Sequence, residues 1–279
     1  MREIYGRAVA VTGAASGIGR ETALAFARRG AHLAICDIDE AGLEKVGREL
    51  EGLGCLVHAE RVDVAWAEEV ERFRDNVFGR FGRVDVLVNN AGIAVGGPME
   101  RLSLDDWRRV VGVNLWGVIH GCHYFYPRMV EQGGGSIVNV ASMAAFAPFP
   151  GFTAYVCTKY GVLGLSESLR AEAARHGVSV SAVCPGVVNT PIYEDMEYRL
   201  SGAYPSRRFG SLAKRVAVRL GSSPSRVAEA VVEAVECRRG VVAVGRGAGT
   251  VDLLHRLSRA SFGLAMRLSW QVESLLLRR

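Results

Sequence analysis

At 279 residues, 49% of them hydrophobic and 23% charged with a net charge of +5, the chain can bury a substantial core and is too apolar for wholesale disorder. Its arginines are scattered rather than run together with aromatics, which leaves a solvated basic surface and no evident nucleic-acid face. No stretch approaches the ~20 apolar residues of a membrane span and no basic region leads into an apolar core at the N-terminus, while Cys36, Cys55, Cys122, Cys157, Cys184 and Cys237 lack metal spacing, so a cytoplasmic chain with buried, reduced thiols and no metal is expected.

Residues 7–12 (RAVAVT) read as a short apolar strand that runs into Gly13-Ala14-Ala15-Ser16-Gly17-Ile18-Gly19, with a helical pattern over 20–29. Strand, glycine loop and helix in that order bring phosphates to a helix N-terminus. Gly13 suits a tight turn, and Gly17 and Gly19 remove side chains where a dinucleotide and the next strand approach. Residues 31–36 form a second strand ending at Asp37. An acidic residue about 20 positions past such a loop hydrogen-bonds both hydroxyls of an adenosine ribose and repels a 2′-phosphate. Asp37 therefore favours NAD over NADP, against the plainer role of capping a helix over 40–53.

Residues 56–62 are a third strand, followed by Asp63-Val64. Asp63 suits either an adenine contact or the cap of a helix over 65–81. The almost wholly apolar VDVLV at 84–88 reads as a strand covered on both faces, and it leads into Asn89-Asn90-Ala91-Gly92. Those asparagines serve equally well to tie strand ends together or to touch a cofactor. A long helical pattern spans 104–129 with Asn114 near its middle, where an asparagine points to a kink or a bound water. Gly133-Gly134-Gly135 ends it, and the fifth strand at 136–141 leaves Ser142 at its carboxyl tip, where open α/β sheets bind ligands.

The helix expected over 152–175 carries Tyr155 and Lys159, four residues apart and so one turn apart on one face. An ammonium beside a phenol favours the phenolate, which makes Tyr155 a candidate general acid/base. A sixth strand over 178–184 ends in Pro185-Gly186; beyond it Thr190 suits a carboxamide contact, a helix cap before Pro191, or both. The irregular stretch 192–223 reads as a substrate lid. A helix from Pro224 to Cys237 and a last strand at 241–244 follow. Strands alternating with helices predict an α/β, parallel, doubly wound sheet. The domain is expected over 1–249 with its lid at about 188–223. An amphipathic helical tail over 250–279 is expected to pack on protein, with a peripheral anionic-membrane contact as its other use.

Thr12 to Gly19, Asn89-Asn90-Ala91-Gly92, Asn114, Ser142, Tyr155-x-x-x-Lys159 and Pro185-Gly186, standing in that order, closely resemble the short-chain dehydrogenase/reductase family in its compact single-domain subgroup. The resemblance covers roughly residues 5–245. It implies a Rossmann-type sheet of seven parallel strands, a homodimer or homotetramer, and hydride transfer between nicotinamide and a carbonyl or alcohol carbon. It implies that Tyr155 exchanges the proton, Lys159 tunes it and bonds the nicotinamide ribose, Ser142 hydrogen-bonds the reacting oxygen, and Asn114 holds a relay water. The expected cofactor contacts are Gly13, Ser16, Gly17, Ile18, Gly19, Asp37, Asp63, Val64, Asn90, Ala91, Gly92, Tyr155, Lys159, Pro185, Gly186, Val188 and Thr190. The expected substrate contacts are Ser142, Ala144, Phe149, Phe152, Tyr155, Tyr193 and Met196, which with Phe146 suggest a lipophilic secondary alcohol or its ketone. An NADPH-dependent 3-oxoacyl thioester reductase and a non-catalytic cofactor-sensing protein are the other readings.

Overall fold

A computed structural model describes residues 4–147, 149–193, 196–199, 218–219, 221–245, 247–258, 262–264 and 266–267. Seven parallel strands form one sheet in the order β3-β2-β1-β4-β6-β7-β9. They are β1 (Ala8–Thr12), β2 (His32–Asp37), β3 (Val57–Arg61), β4 (Val86–Asn89), β6 (Gly135–Val140), β7 (Val178–Pro185) and β9 (Val241–Val244). The numbers left out belong to a two-stranded ladder of β5 (Val95–Gly96) and β8 (Glu197–Tyr198), which no periodic pattern announces.

The five inner strands are buried on both faces because their side chains alternate into two different cores, while the edge strands β3 and β9 are only partly covered. Val9, Val11, Leu33, Ile35, Val86 and Val88 point one way, against α1 (Gly17–Ala27), α2 (Glu40–Glu51) and α7 (Pro224–Glu236). Ala10, Ala34, Leu87 and Ile137 point the other way, against α3 (Ala67–Phe81), α5 (Gly117–Glu131) and α6 (Thr153–Ala173). Each Val, Leu or Ile so covered contributes about 1.5–3 kcal/mol of burial. The chain leaves β1 for β2 and β3 on one side, then returns to β4 on the other. That reversal opens a crevice at the carboxyl ends of β1 and β4.

The helix expected over 104–129 is three pieces: α4 (Leu104–Val111), a π turn at Gly112–Trp116, and α5. Asn114 sits inside the π turn, the kind of interruption found at functional sites. Four of the six cysteines are buried as expected, whereas Cys157 and Cys237 are exposed. The expected continuous tail helix is broken as well. Helix α8 (Ala248–Leu257) stops where Ser258 turns extended, helical residues resume at 262–264 and 266–267, and Leu253, Leu254 and Leu257 face outward. Most of the expected lid and the end of the tail lie outside the described residues. Among the described residues no helix is long and apolar enough to cross a membrane.

Candidate active site

The crevice is shaped first by backbone. Thr12 Oγ1 accepts from the amides of Asn90 and Ala91 at 3.0 and 3.1 Å, and Asn90 Nδ2 donates to the Thr12 and Gly13 carbonyls at 3.0 Å each. These bonds pin the tip of β1 to the tip of β4. A methyl on Gly13, which has φ +65°, would lie 2.7 Å from Ala91 Cα; one on Gly19 would lie 2.0 Å from the Gly13 carbonyl oxygen. Close approach, as well as turning, thus demands glycine here. The sequence left two uses open for the asparagines, and the structure separates them. Asn89 is buried away from the cavity and supports the sheet, its Nδ2 donating to Asn139 Oδ1 at 2.8 Å. Asn90 does structural work and also lines the cavity.

That cavity, of about 370 Å³, runs along the carboxyl edge of the sheet. Gly13, Ser16, Gly17 and Ile18 line it at the N-terminus of α1; Gly19 backs the loop and does not face it. Asp37, Asp63 and Val64 bound one end. Asp37 Oδ2 accepts from Ala15 N at 2.9 Å and Oδ1 from Asp39 N at 3.1 Å. The cap of α2 is Asp39, which accepts from Gly42 N at 3.1 Å. The helix-cap role offered for Asp37 therefore belongs to its neighbour. Asp63 shapes its own turn by accepting from Ala65 N at 3.0 Å, ahead of an α3 that starts at Ala67. Ala91 and Gly92 form one wall; Pro185, Gly186, Val188 and Thr190 form the other.

Ser142, Tyr155 and Lys159 meet in the middle of the cavity. Lys159 is only 4% exposed, its Nζ 5.6 Å from the Tyr155 ring centre and donating to the Val140 carbonyl at 2.9 Å. Burial pushes the Tyr155 phenol up to about 12; the Ser142 hydroxyl, donating to it, opposes that shift, while Tyr193 and Cys184 nearby add to it. Burial also pulls the Lys159 ammonium down to about 8. The expected lowering of the phenol by the ammonium does not set its pKa here; dehydration of the phenolic oxygen does. Ser142 Oγ is fixed by accepting from Ala144 N at 3.1 Å.

Asn114 is fully buried but does not line the cavity. Its Oδ1 accepts from Ile93 N at 2.8 Å, its Nδ2 donates to Ile93 O at 2.9 Å, and a longer bond of 3.4 Å reaches Thr158 Oγ1. The amide clamps the loop after Gly92 beside Lys159.

The expected substrate wall is only partly there. Tyr193 lines the cavity with Ser142 and Tyr155, but Ala144, Phe149, Phe152 and Met196 do not. Ala144 and Met196 are buried in packing, as is Phe146 in the core, and Phe152 sets its edge on Tyr198 at 6.0 Å under the β5–β8 ladder. Among the described residues the apolar lining includes Ile93, Ala94, Val95, Val113 and Ile192, and Arg109 and Glu197 line the same cavity. Arg109 and Val113 share a helix face by spacing, which is the one signal in the sequence that pointed to them.

A family model described as short chain dehydrogenase matches residues 7–199. The probable oxidoreductase EphD of Mycobacterium tuberculosis is 42% identical over 237 residues, covering 84% of this chain; the chain spans only 40% of that relative's length. The putative oxidoreductase SadH of the same species is 36% identical over 265 residues, 94% of each chain. The solved structure of a short chain dehydrogenase/reductase from Burkholderia phymatum in complex with NAD superposes with a TM-score of 0.83 at 33% identity, covering 92% of this chain and 95% of that one.

Proposed function

The chain belongs to the short-chain dehydrogenase family, and we propose that it is an oxidoreductase that interconverts a lipophilic secondary alcohol and its ketone with NAD. The observation that carries this reading is the meeting of Tyr155, Ser142 and Lys159 inside one cavity that also reaches Asp37. The residues present fit a dinucleotide. The cradle at Gly13 and Gly19 has no room for a side chain, the N-terminal turn of α1 faces the cavity, and Asp37 is held in place by two amides. Gly13, Ser16, Gly17 and Ile18 would hold the pyrophosphate, and Asp37 the adenosine ribose, which disfavours a 2′-phosphate by like charge. Asp63 and Val64 would border the adenine; Asn90 to Gly92, Pro185, Gly186, Val188 and Thr190 would border the nicotinamide half. When bound, NAD supplies the hydride acceptor.

The protein's own part is proton placement and charge. Tyr155 takes the alcohol proton, or gives one to the ketone oxygen, and Ser142 donates a hydrogen bond to that same oxygen. With the Tyr155 phenol at about 12 in the protein alone, Lys159 serves as the cation that a phenolate forming at Tyr155 would face across one helical turn. Asn114 keeps Ile93 in place.

A panel of lipophilic secondary alcohols with NAD and NADP tests the reading. NAD-linked oxidation that Tyr155→Phe reduces about a thousandfold supports it. A clear preference for NADP would remove the role given to Asp37.

A further inference from the structure

The cavity that holds Tyr155 and Ser142 is lined by apolar side chains and also by a pair of opposite charges. Arg109 of α4 lines the cavity beside Glu197 of β8. The Arg109 guanidinium reaches Glu197 Oε1 through two nitrogens at 3.3 and 3.4 Å, outside the usual range of an N–H···O bond. Glu197 makes its close contact elsewhere: its Oε2 lies 2.6 Å from Arg199. Arg199 in turn is anchored at 2.7 Å on Asp106, whose carboxylate also closes the capping box of α4 with Ser103.

The four charges form a chain, Asp106–Arg199–Glu197–Arg109, in which the first three members hold one another closely and the last is held loosely. A guanidinium carries five N–H donors in a planar fork. Among the described residues, those of Arg109 go only to one oxygen, at long range, and its side chain is 53% exposed. The fork matches a carboxylate edge to edge. A substrate that covered Arg109 without offering an acceptor would bury donors at a cost.

We propose that the substrate is a lipophilic hydroxy acid, or the matching keto acid. Its carboxylate binds Arg109 while its carbinol oxygen lies at Tyr155 and Ser142. Its apolar body rests on Ile93, Val95, Val113 and Ile192. Arg109 is then a specificity-determining residue, and the Asp106–Arg199–Glu197 chain orients it. This inference rests on the alcohol–ketone reading above.

The test uses the full chain with NAD and a series of medium-chain (ω−1)-hydroxy fatty acids, each beside its methyl ester. The acids are expected to show a KM about tenfold or more below the esters, the range a charge-assisted hydrogen bond supplies. Arg109→Gln brings the acid-to-ester ratio of kcat/KM to about one, and Arg109→Lys restores part of it. A ratio near one in the unaltered protein overturns the proposal. So does a ratio that survives in Arg109→Gln while both substrates slow together, because Arg109 would then be a strut between α4 and β8. Calorimetry with decanoate and methyl decanoate separates the two ideas. No preference for decanoate, with the esters still oxidised, sinks the carboxylate proposal and leaves the reaction standing. An Arg109-dependent preference for decanoate, with no alcohol oxidised, keeps the anion site and sinks the reaction.

Discussion

The two ends of the cavity are built on different principles. The Asp37 end is made of strand tips, amides and glycines, held by bonds such as Asn90 to Thr12 and Asp37 to Ala15. The Arg109 end is made of long side chains from α4 and β8, where Arg109 and Glu197, 88 residues apart, meet across an ion-pair chain. The first end is rigid because a sheet of seven strands fixes every tip at once. The second depends on a few contacts at half-exposed positions, where individual ion pairs contribute little. A shared dinucleotide and a particular substrate call for just that division.

The largest expected effect tests the rigid end. In Gly19→Ala the new methyl would sit 2.0 Å from the Gly13 carbonyl oxygen, against backbone that has nowhere to go. NAD binding should weaken by about a hundredfold, from strain of roughly 1–3 kcal/mol, while far-ultraviolet circular dichroism stays near that of the unaltered protein. A binding constant within twofold would show that the loop does not hold the dinucleotide. Asp37→Ser should narrow the preference for NAD over NADP by about tenfold, the value of one lost charge–charge repulsion on the order of 1.4 kcal/mol. An unchanged preference would place the discrimination elsewhere.

The charged end should respond through pH and stability. Bonds from Arg199 first, and then from Ser103, hold Asp106 at about 2 against an ordinary 3.8, although burial opposes them. The folded pKa lies below the unfolded one, so this contribution is complete above about pH 4 and fades as the pH falls towards 2. Arg199→Gln should therefore lose roughly 1 kcal/mol in urea unfolding at pH 7, allowing for the exposure of Arg199, and the gap should close on acidification. A gap that widened below pH 4 would contradict the assignment. The smallest effect belongs to a residue that the cavity does not use. Phe149→Leu should leave KM within about twofold, since Phe149 is not among the residues lining the cavity. A large rise would extend the substrate wall to that loop.

How much of this was legible follows the same division. The five inner strands were readable because a strand buried on both faces is a continuous apolar run, and the motifs at their tips came with them; the edge strands β3 and β9, only partly covered, followed from their place in the alternation of strands and helices. The roles of Asp37 and Asp39 were not separable by spacing, since either acid fits a cap; only the bonds to Ala15 and Gly42 divide them. An aromatic that packs and one that lines a pocket look alike in a sequence, so spacing alone could not say which of the aromatic residues near Phe149 face the cavity. The short β5–β8 ladder is too brief for any period, so the pairing that brings Glu197 to Arg109 had no local signal.

The central claim is that Tyr155 exchanges the proton while NAD takes the hydride from the adjoining carbon. The direct measurement follows deuterium from the carbinol carbon of a labelled secondary alcohol into NADH, in the full chain and in Tyr155→Phe, with NAD binding measured in both. The account expects label in the nicotinamide with the unaltered protein and a transfer rate about a thousandfold lower in the variant, which still binds NAD. Deuterium transfer by Tyr155→Phe at the unaltered rate would contradict it.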